Sequence, residues 1–203
     1  MYNMLLDRYP TEYLGYLLRT DYRIGIQITL ILEDFELDDD ERMIKALELL
    51  YGYGIPDDIN VALNGLKWFM SCGKKCSDDD STEYLDASDI DEEVEDSVSD
   101  NGRIAYDFEI DSDLIYASMF SQYGVEIDKE KMHWFKFISM FRCLKDTELN
   151  DLMYYRTVDI SKLPKAQRAD MRKLQDKYRI RKVTAQRKAE LEACFGDEWK
   201  KHI

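Results

Sequence analysis

Apolar residues recur at helical spacing in the centre of this 203-residue chain, within residues 106–156. Asp111-Ser112-Asp113 stands where a helix N-cap is expected, and Gly124 stands where a helix C′ residue is expected. Between them, apolar side chains fall at i, i+1, i+4, i+5 and i+8, which predicts one face of a helix: Ile115, Tyr116, Met119, Phe120 and Tyr123.

A second helix is predicted from Asp128, as its N-cap, to about Leu144. Its apolar residues spread over more than one face, so we expect this helix to be buried on several sides. Aromatic residues of the two helices are therefore predicted to form the structural core: Tyr116, Phe120, Trp134, Phe137 and Phe141.

The N-terminal third predicts a hairpin followed by three helices. Aromatic and apolar residues flank Leu14-Gly15, which suggests a short hairpin. The isoleucine-rich run at 22–32 could form a strand, but its length and the preceding Thr20-Asp21 cap favour a helix. A second helix is predicted after Asp38, and Asp57 or Asp58 is expected to cap a third, which ends at Ser71-Cys72-Gly73.

The rest of the chain alternates between acidic, helical and basic segments. Residues 74–102 are dominated by Ser, Asp and Glu, which predicts a flexible acidic insertion, and residues 103–108 suggest a short strand. Asp146-Thr147 is expected to cap another helix, which stops before Pro164. Residues 165–195 have a basic helical pattern, with a break predicted near residues 179–184.

These elements predict a mainly α protein. We expect one helical-bundle domain over residues 1–163, with a short N-terminal β-hairpin and the acidic insertion at 74–102. Residues 164–203 are expected to form a basic C-terminal helical arm. The narrow apolar stripe of this arm suits docking against a partner helix, and its candidate partner-binding residues follow that stripe and its basic flank: Met171, Arg172, Leu174, Tyr178, Arg181 and Lys182.

The net charge of −14 is distributed unevenly along the chain. Residues 78–113 hold about 16 acidic residues against Arg103 alone, whereas residues after 161 hold about 13 basic residues against 6 acidic ones. An acidic chain is a poor ligand for nucleic acid, because phosphate contacts need a basic face. The acidic block is interpreted as a solvated linker. The alternatives are a decoy for DNA phosphates and a shield over a basic partner site such as the C-terminal arm of the chain itself.

Targeting and cysteine patterns predict a cytosolic protein that stays in the compartment where it is made. No apolar run reaches the roughly 18–20 residues that span a bilayer, and residues 1–8 lack a signal-peptide pattern, so we expect no membrane association. The 4 cysteines are too few and too scattered for a disulfide framework.

Candidate chemistry is weak throughout the sequence. Cys72 and Cys76 are interpreted as ordinary thiols, since a zinc site needs about four ligands. The alternating carboxylates at Asp107, Glu109, Asp111 and Asp113 lack the glycine and the final glutamate of a calcium loop, which favours helix capping. His133 has no accompanying nucleophile motif and is predicted to be a packed or hydrogen-bonded histidine. We expect no cofactor, no metal and no enzymatic activity.

Several ordered runs nevertheless resemble one protein family. Over about residues 1–183, apart from the acidic insertion, the chain resembles the bacteriophage gene-product-fifteen family of Gram-positive long-tailed phages. The resemblance is carried by these runs: Leu5-Leu6-Asp7-Arg8-Tyr9-Pro10, Thr20-Asp21-Tyr22-Arg23, Trp68-Phe69-Met70-Ser71-Cys72-Gly73, Phe120-Ser121-Gln122-Tyr123-Gly124, His133-Trp134-Phe135-Lys136-Phe137 and Met153-Tyr154-Tyr155-Arg156-Thr157.

The resemblance implies a function in phage assembly, in the host bacterial cytoplasm. Members of the family are commonly encoded between the major tail protein and the tape-measure protein, so the resemblance implies a non-enzymatic tail assembly chaperone. Its expected partners are the tape-measure protein and the tail-tube protein, bound by a homo-oligomer or by multiple copies. Two other interpretations are an acidic inhibitor of a host defence protein that mimics nucleic acid, and a structural tail component of the virion.

Overall fold

The structure is a computed structural model that describes residues 2–34, 36–74 and 103–180. Most of the predicted acidic insertion lies outside the described residues, and so does the part of the arm after residue 180, which includes Arg181 and Lys182.

The described residues are mainly helical, with one short antiparallel hairpin, which confirms the predicted fold class. Glu12 pairs with Leu17 and Tyr13 pairs with Tyr16 in the hairpin. The elements, in chain order, are β1 (Glu12–Tyr13), β2 (Tyr16–Leu17), α1 (Tyr22–Leu32), α2 (Asp39–Tyr51), α3 (Ile59–Met70), α4 (Ser112–Tyr123), α5 (Trp134–Arg142), α6 (Glu148–Thr157), a 3-10 turn (Ile160–Lys162) and α7 (Lys165–Tyr178).

Four of the side-chain caps stand at helix starts that the sequence predicts. The carboxylates of Asp21, Asp38 and Asp58 accept backbone N–H bonds at the starts of α1, α2 and α3. Thr147 and Asn150 form a reciprocal capping box at the start of α6. These caps confirm the four predicted helix starts, including the helix rather than strand at residues 22–32.

The described chain divides into two compact units. The first takes the described residues of 1–94 and 123–143, and the second takes those of 95–122 and 144–203. Helix α7 packs against α6 inside the second unit. The domain boundary after residue 163 stays a prediction. The two central predicted helices also fall in different units, with α4 in the second and α5 in the first.

Helix α5 supplies the core of the first unit. Trp134, Phe137 and Phe141 are buried as predicted, and Phe135 is fully buried as well. Helix α1 approaches so closely that a Cβ on Gly25 would lie 2.2 Å from two atoms of the Trp134 indole. Only glycine therefore fits at this position of α1.

The predicted start of α5 at Asp128 is wrong. Tyr22 N–H donates to the Met132 carbonyl at 2.9 Å, and Trp134 N–H donates to the Thr20 carbonyl at 2.9 Å. This antiparallel bridge keeps residues 132–134 extended. The backbone N–H and C=O groups of a helical residue point along the helix axis, so they could not bond to a segment that lies alongside. The helix therefore begins at Trp134, with His133 as its N-cap.

Two further predictions in the second unit need correction. Phe120 is 48% exposed and Tyr116 is only half-buried, because the buried face of α4 is formed by Ile115, Ser118 and Met119 at i, i+3 and i+4. The predicted strand at 103–108 is also wrong, since only Ile104 has a bridge pattern. Instead, Asp107 accepts N–H bonds from Glu109 and Ile110 and fixes a turn.

Candidate protein-binding surfaces

A buried ion pair organises the second unit. The Arg156 guanidinium contacts both oxygens of Asp111, at 2.6 and 2.9 Å, and both side chains are buried. Arg156 also donates to the Ala105 carbonyl at 3.0 Å and to the Tyr178 carbonyl at 2.8 Å. One side chain of α6 thus connects the chain before α4, the start of α4 and the end of α7.

An open groove of about 640 Å³ lies beside this anchor, within the second unit. Its volume falls within the roughly 300–1,000 Å³ that is usual for protein ligand sites. Side chains from the start of α4, from α6 and from the end of α7 line it, and they combine an apolar floor with charged edges: Ile110, Leu114, Glu148, Asp151, Leu152, Tyr155, Arg156, Lys177, Tyr178, Arg179 and Ile180.

Among the described residues of the predicted partner-binding stripe, one lines this groove. Tyr178 lines the groove and stacks on Tyr155, with ring centroids 6.0 Å apart. Met171 and Leu174 are half-buried on α7 and Arg172 is exposed, but none of the three lines the groove. A groove formed by three separate segments gives no periodic signal in the sequence, so sequence reasoning missed Leu152, Tyr155 and Ile180.

The first unit presents a different apolar feature, a turn with two exposed leucines. Leu5 is 93% exposed and Leu6 is 83% exposed. The turn is fixed, because Asn3 N–H donates to the Asp7 carboxylate at 2.8 Å and Leu5 N–H donates to the Asn3 side chain at 2.9 Å. Two adjacent leucines held in water by a hydrogen-bonded turn form an apolar contact surface.

The hairpin tip exposes a further leucine at a backbone cost. Leu14 has φ of 49° and Gly15 has φ of 86°, so both central residues of the two-residue loop are left-handed. Such loops favour Asn-Gly, and a leucine in this conformation costs roughly 1–2 kcal/mol. Leu14 is nevertheless 72% exposed, so burial of its side chain does not offset this backbone cost.

His133 is a structural cap in the first unit. Its Nδ1 accepts the Phe135 N–H at 3.1 Å, and its Nε2–H donates to the Pro10 carbonyl at 2.9 Å. These two bonds require the neutral imidazole, protonated at Nε2 only. Burial lowers the pKa of His133 below its ordinary value of 6.5, and the Pro10 hydrogen bond opposes this shift only in part. The imidazole therefore connects the N-terminal segment to α5.

The neutral form that His133 needs makes the first unit sensitive to pH. A folded-state pKa below 6.5 means that the unfolded chain binds the proton more tightly. We expect the free energy of unfolding to be steady above about pH 7 and to fall as the pH drops below 6.5. Urea unfolding across this range measures the fall. His133→Asn keeps a capping acceptor without a titrating proton, so its fall should be smaller; an equal fall in both proteins would contradict the assignment.

Carboxylates that could suggest a cation site are engaged in structural bonds. Asp111 pairs with Arg156, and one oxygen of Asp107 accepts two backbone N–H groups. Within residues 2–34, 36–74 and 103–180, no group of three or more His, Cys, Asp or Glu side chains could hold a metal ion.

In the same described ranges, no helix is long and apolar enough to cross a bilayer.

The fold and these surfaces define a mainly helical protein of two units with apolar groups open to contact. The family described as Bacteriophage Gp15 protein matches residues 4–180, and the chain belongs to that family. This membership confirms the resemblance and indicates a phage-related role. A search of curated proteins gives no match to the chain. A search of solved structures gives none either.

Proposed function

We propose that this protein is a tail assembly chaperone that binds the tape-measure protein during assembly of a long phage tail. Its membership of the Bacteriophage Gp15 protein family carries the proposal, through the role that the family resemblance implies. On this proposal the protein acts by contact and without catalysis, and several copies hold one tape-measure chain until tail-tube subunits assemble around it.

The exposed leucines support a contact function. A tape-measure protein is long and helical with an apolar stripe, so it aggregates unless that stripe is covered. Leu5 and Leu6 on their fixed turn, and Leu14 at the hairpin tip, offer apolar side chains that are already in water. Covering the stripe with these leucines removes apolar surface of both proteins from water, which stabilises the complex by about 25 cal/mol per Å² of buried apolar surface.

Co-expression with the tape-measure protein of the same phage tests the proposal. We expect a larger soluble fraction of the tape-measure protein and a complex that co-purifies with it. Mass spectrometry of purified virions should not find this chain. The proposal would be contradicted if the tape-measure protein were no more soluble and formed no complex with this chain. If purified virions contained this chain at subunit stoichiometry, it would instead be a structural component.

A paired variant locates the contact in the same experiment. Leu5→Ser with Leu6→Ser should lower the soluble fraction of the tape-measure protein while the fold is kept, because both side chains are exposed. Tyr53→Ser is the matched control, since Tyr53 is a fully exposed apolar side chain away from this turn in sequence. Equal effects of the two variants would contradict a specific role for the leucine turn.

A further inference from the structure

The groove of the second unit has an acidic end and a basic end. Glu148 and Asp151 lie in the first turn of α6. Tyr155, in the third turn, stacks on Tyr178, so Lys177 and Arg179 border the groove near this end of α6. At 1.5 Å per residue, Glu148 and Tyr155 are separated by about 10 Å along the helix axis.

The remaining lining of the groove is mostly apolar, and Leu152 lies between the two charged ends along α6. Leu114, Leu152 and Ile180 line the groove together with the tyrosine rings, and Ile110 stands exposed at its edge. The groove volume of about 640 Å³ accommodates a few side chains from two successive turns of a helix. The groove thus presents an apolar floor about two helical turns long, with opposite charges at its ends.

From this charge distribution we propose that the groove binds one amphipathic α-helix of a partner protein, lying antiparallel to α6. The helix carries acidic residues in its first turn, apolar residues in the next two turns and basic residues in its last turn. Its acidic first turn meets Lys177 and Arg179, and its basic last turn meets Glu148 and Asp151. Acids in its first turn and bases in its last turn also suit the dipole of the partner helix itself.

The tape-measure protein would supply such a helix, and in this respect the inference rests on the proposed function. The recognition chemistry of the groove can be tested without the tape-measure protein. The probes are synthetic helical peptides of about 18 residues that share one apolar stripe. The first has an acidic first turn and a basic last turn, the second has acids at both ends, and the third has bases at both ends.

The full chain should bind the first peptide about fivefold to tenfold more tightly than the other two at low salt, as measured by fluorescence anisotropy. The difference should shrink at about 1 M salt, where exposed charges are screened. A spin label on the N-terminus of the first peptide should broaden the NMR signal of Tyr178 more than that of Glu148. Equal affinities for the three peptides, or the opposite broadening, would overturn the proposal.

Charge reversal at the acidic end provides the matched comparison. Glu148→Lys with Asp151→Lys makes both ends of the groove basic, so this variant should prefer the peptide with acids at both ends. Asp170→Lys reverses an exposed charge on α7 that does not line the groove, and it should keep the wild-type preference. An unchanged preference in the first variant would contradict the groove as the binding site.

The two proposals fail in different ways. Binding of no peptide would overturn the inference. If this chain still made the tape-measure protein soluble in that case, the result would support the proposed function. Peptide binding without any effect on the solubility of the tape-measure protein would support the groove as a binding site and contradict the proposed function.

Discussion

Arg156→Met is expected to lower the free energy of unfolding by about 3–5 kcal/mol, because it leaves the buried Asp111 carboxylate without its ion-pair partner. The change also removes donors from the Ala105 and Tyr178 carbonyls, so the end of α7 should loosen together with the turn before α4. Urea unfolding followed by circular dichroism measures the loss, and hydrogen exchange reports where the chain opens.

A matched variant and a double variant control this prediction. Arg172→Met makes the same chemical change at an exposed position of α7 and should stay within about 0.5 kcal/mol of the wild type. Arg156→Met combined with Asp111→Asn removes the uncompensated charge and should recover part of the loss. A loss at Arg156 as small as that at Arg172 would show that the ion pair does not hold the second unit together.

Phe135→Ala is expected to lower the free energy of unfolding by about 3–5 kcal/mol. Phe135 is fully buried, and its ring contacts those of Tyr2, Trp68 and His133 at centroid distances of 5.4, 5.6 and 4.7 Å. The truncation therefore leaves a cavity between α3, α5 and the N-terminal segment. Urea unfolding, followed by the tryptophan fluorescence of the first unit, measures this effect.

Phe120→Ala is the control for Phe135→Ala. The same atoms are removed from a side chain that is 48% exposed, so the loss should stay below about 1 kcal/mol. This comparison also tests the corrected burial of α4. A large loss at Phe120 together with a small loss at Phe135 would contradict the core described for the two units.

Helix starts could be predicted from the sequence where the cap is local. Asp21, Asp38, Asp58 and Thr147 each accept an N–H bond from a residue two or three positions further along the chain. Such bonds depend only on neighbouring residues, so residue type and position reveal them. The left-handed Gly124 after α4 is predictable for the same reason.

Long-range partners account for the failed predictions. His133, rather than Asp128, caps α5 because the backbone of residues 132–134 pairs with residues 20–22. Asp111 stands at the expected start of α4, yet its carboxylate binds Arg156, 45 residues further on. The groove likewise depends on how α4, α6 and α7 come together. Spacing within one segment contains no information about such partners.

The discontinuous first unit has a consequence for biosynthesis. The Tyr22 hydroxyl donates to the Ile127 carbonyl across a separation of 105 residues, and α5 covers the apolar face of α1 only when both have left the ribosome. At about 5–20 residues per second, translation of the intervening chain takes roughly 5–20 seconds. During that interval α1–α3 lack the aromatic helix that completes their core, so nascent chains on crowded polysomes are at their greatest risk of association before residue 143 emerges.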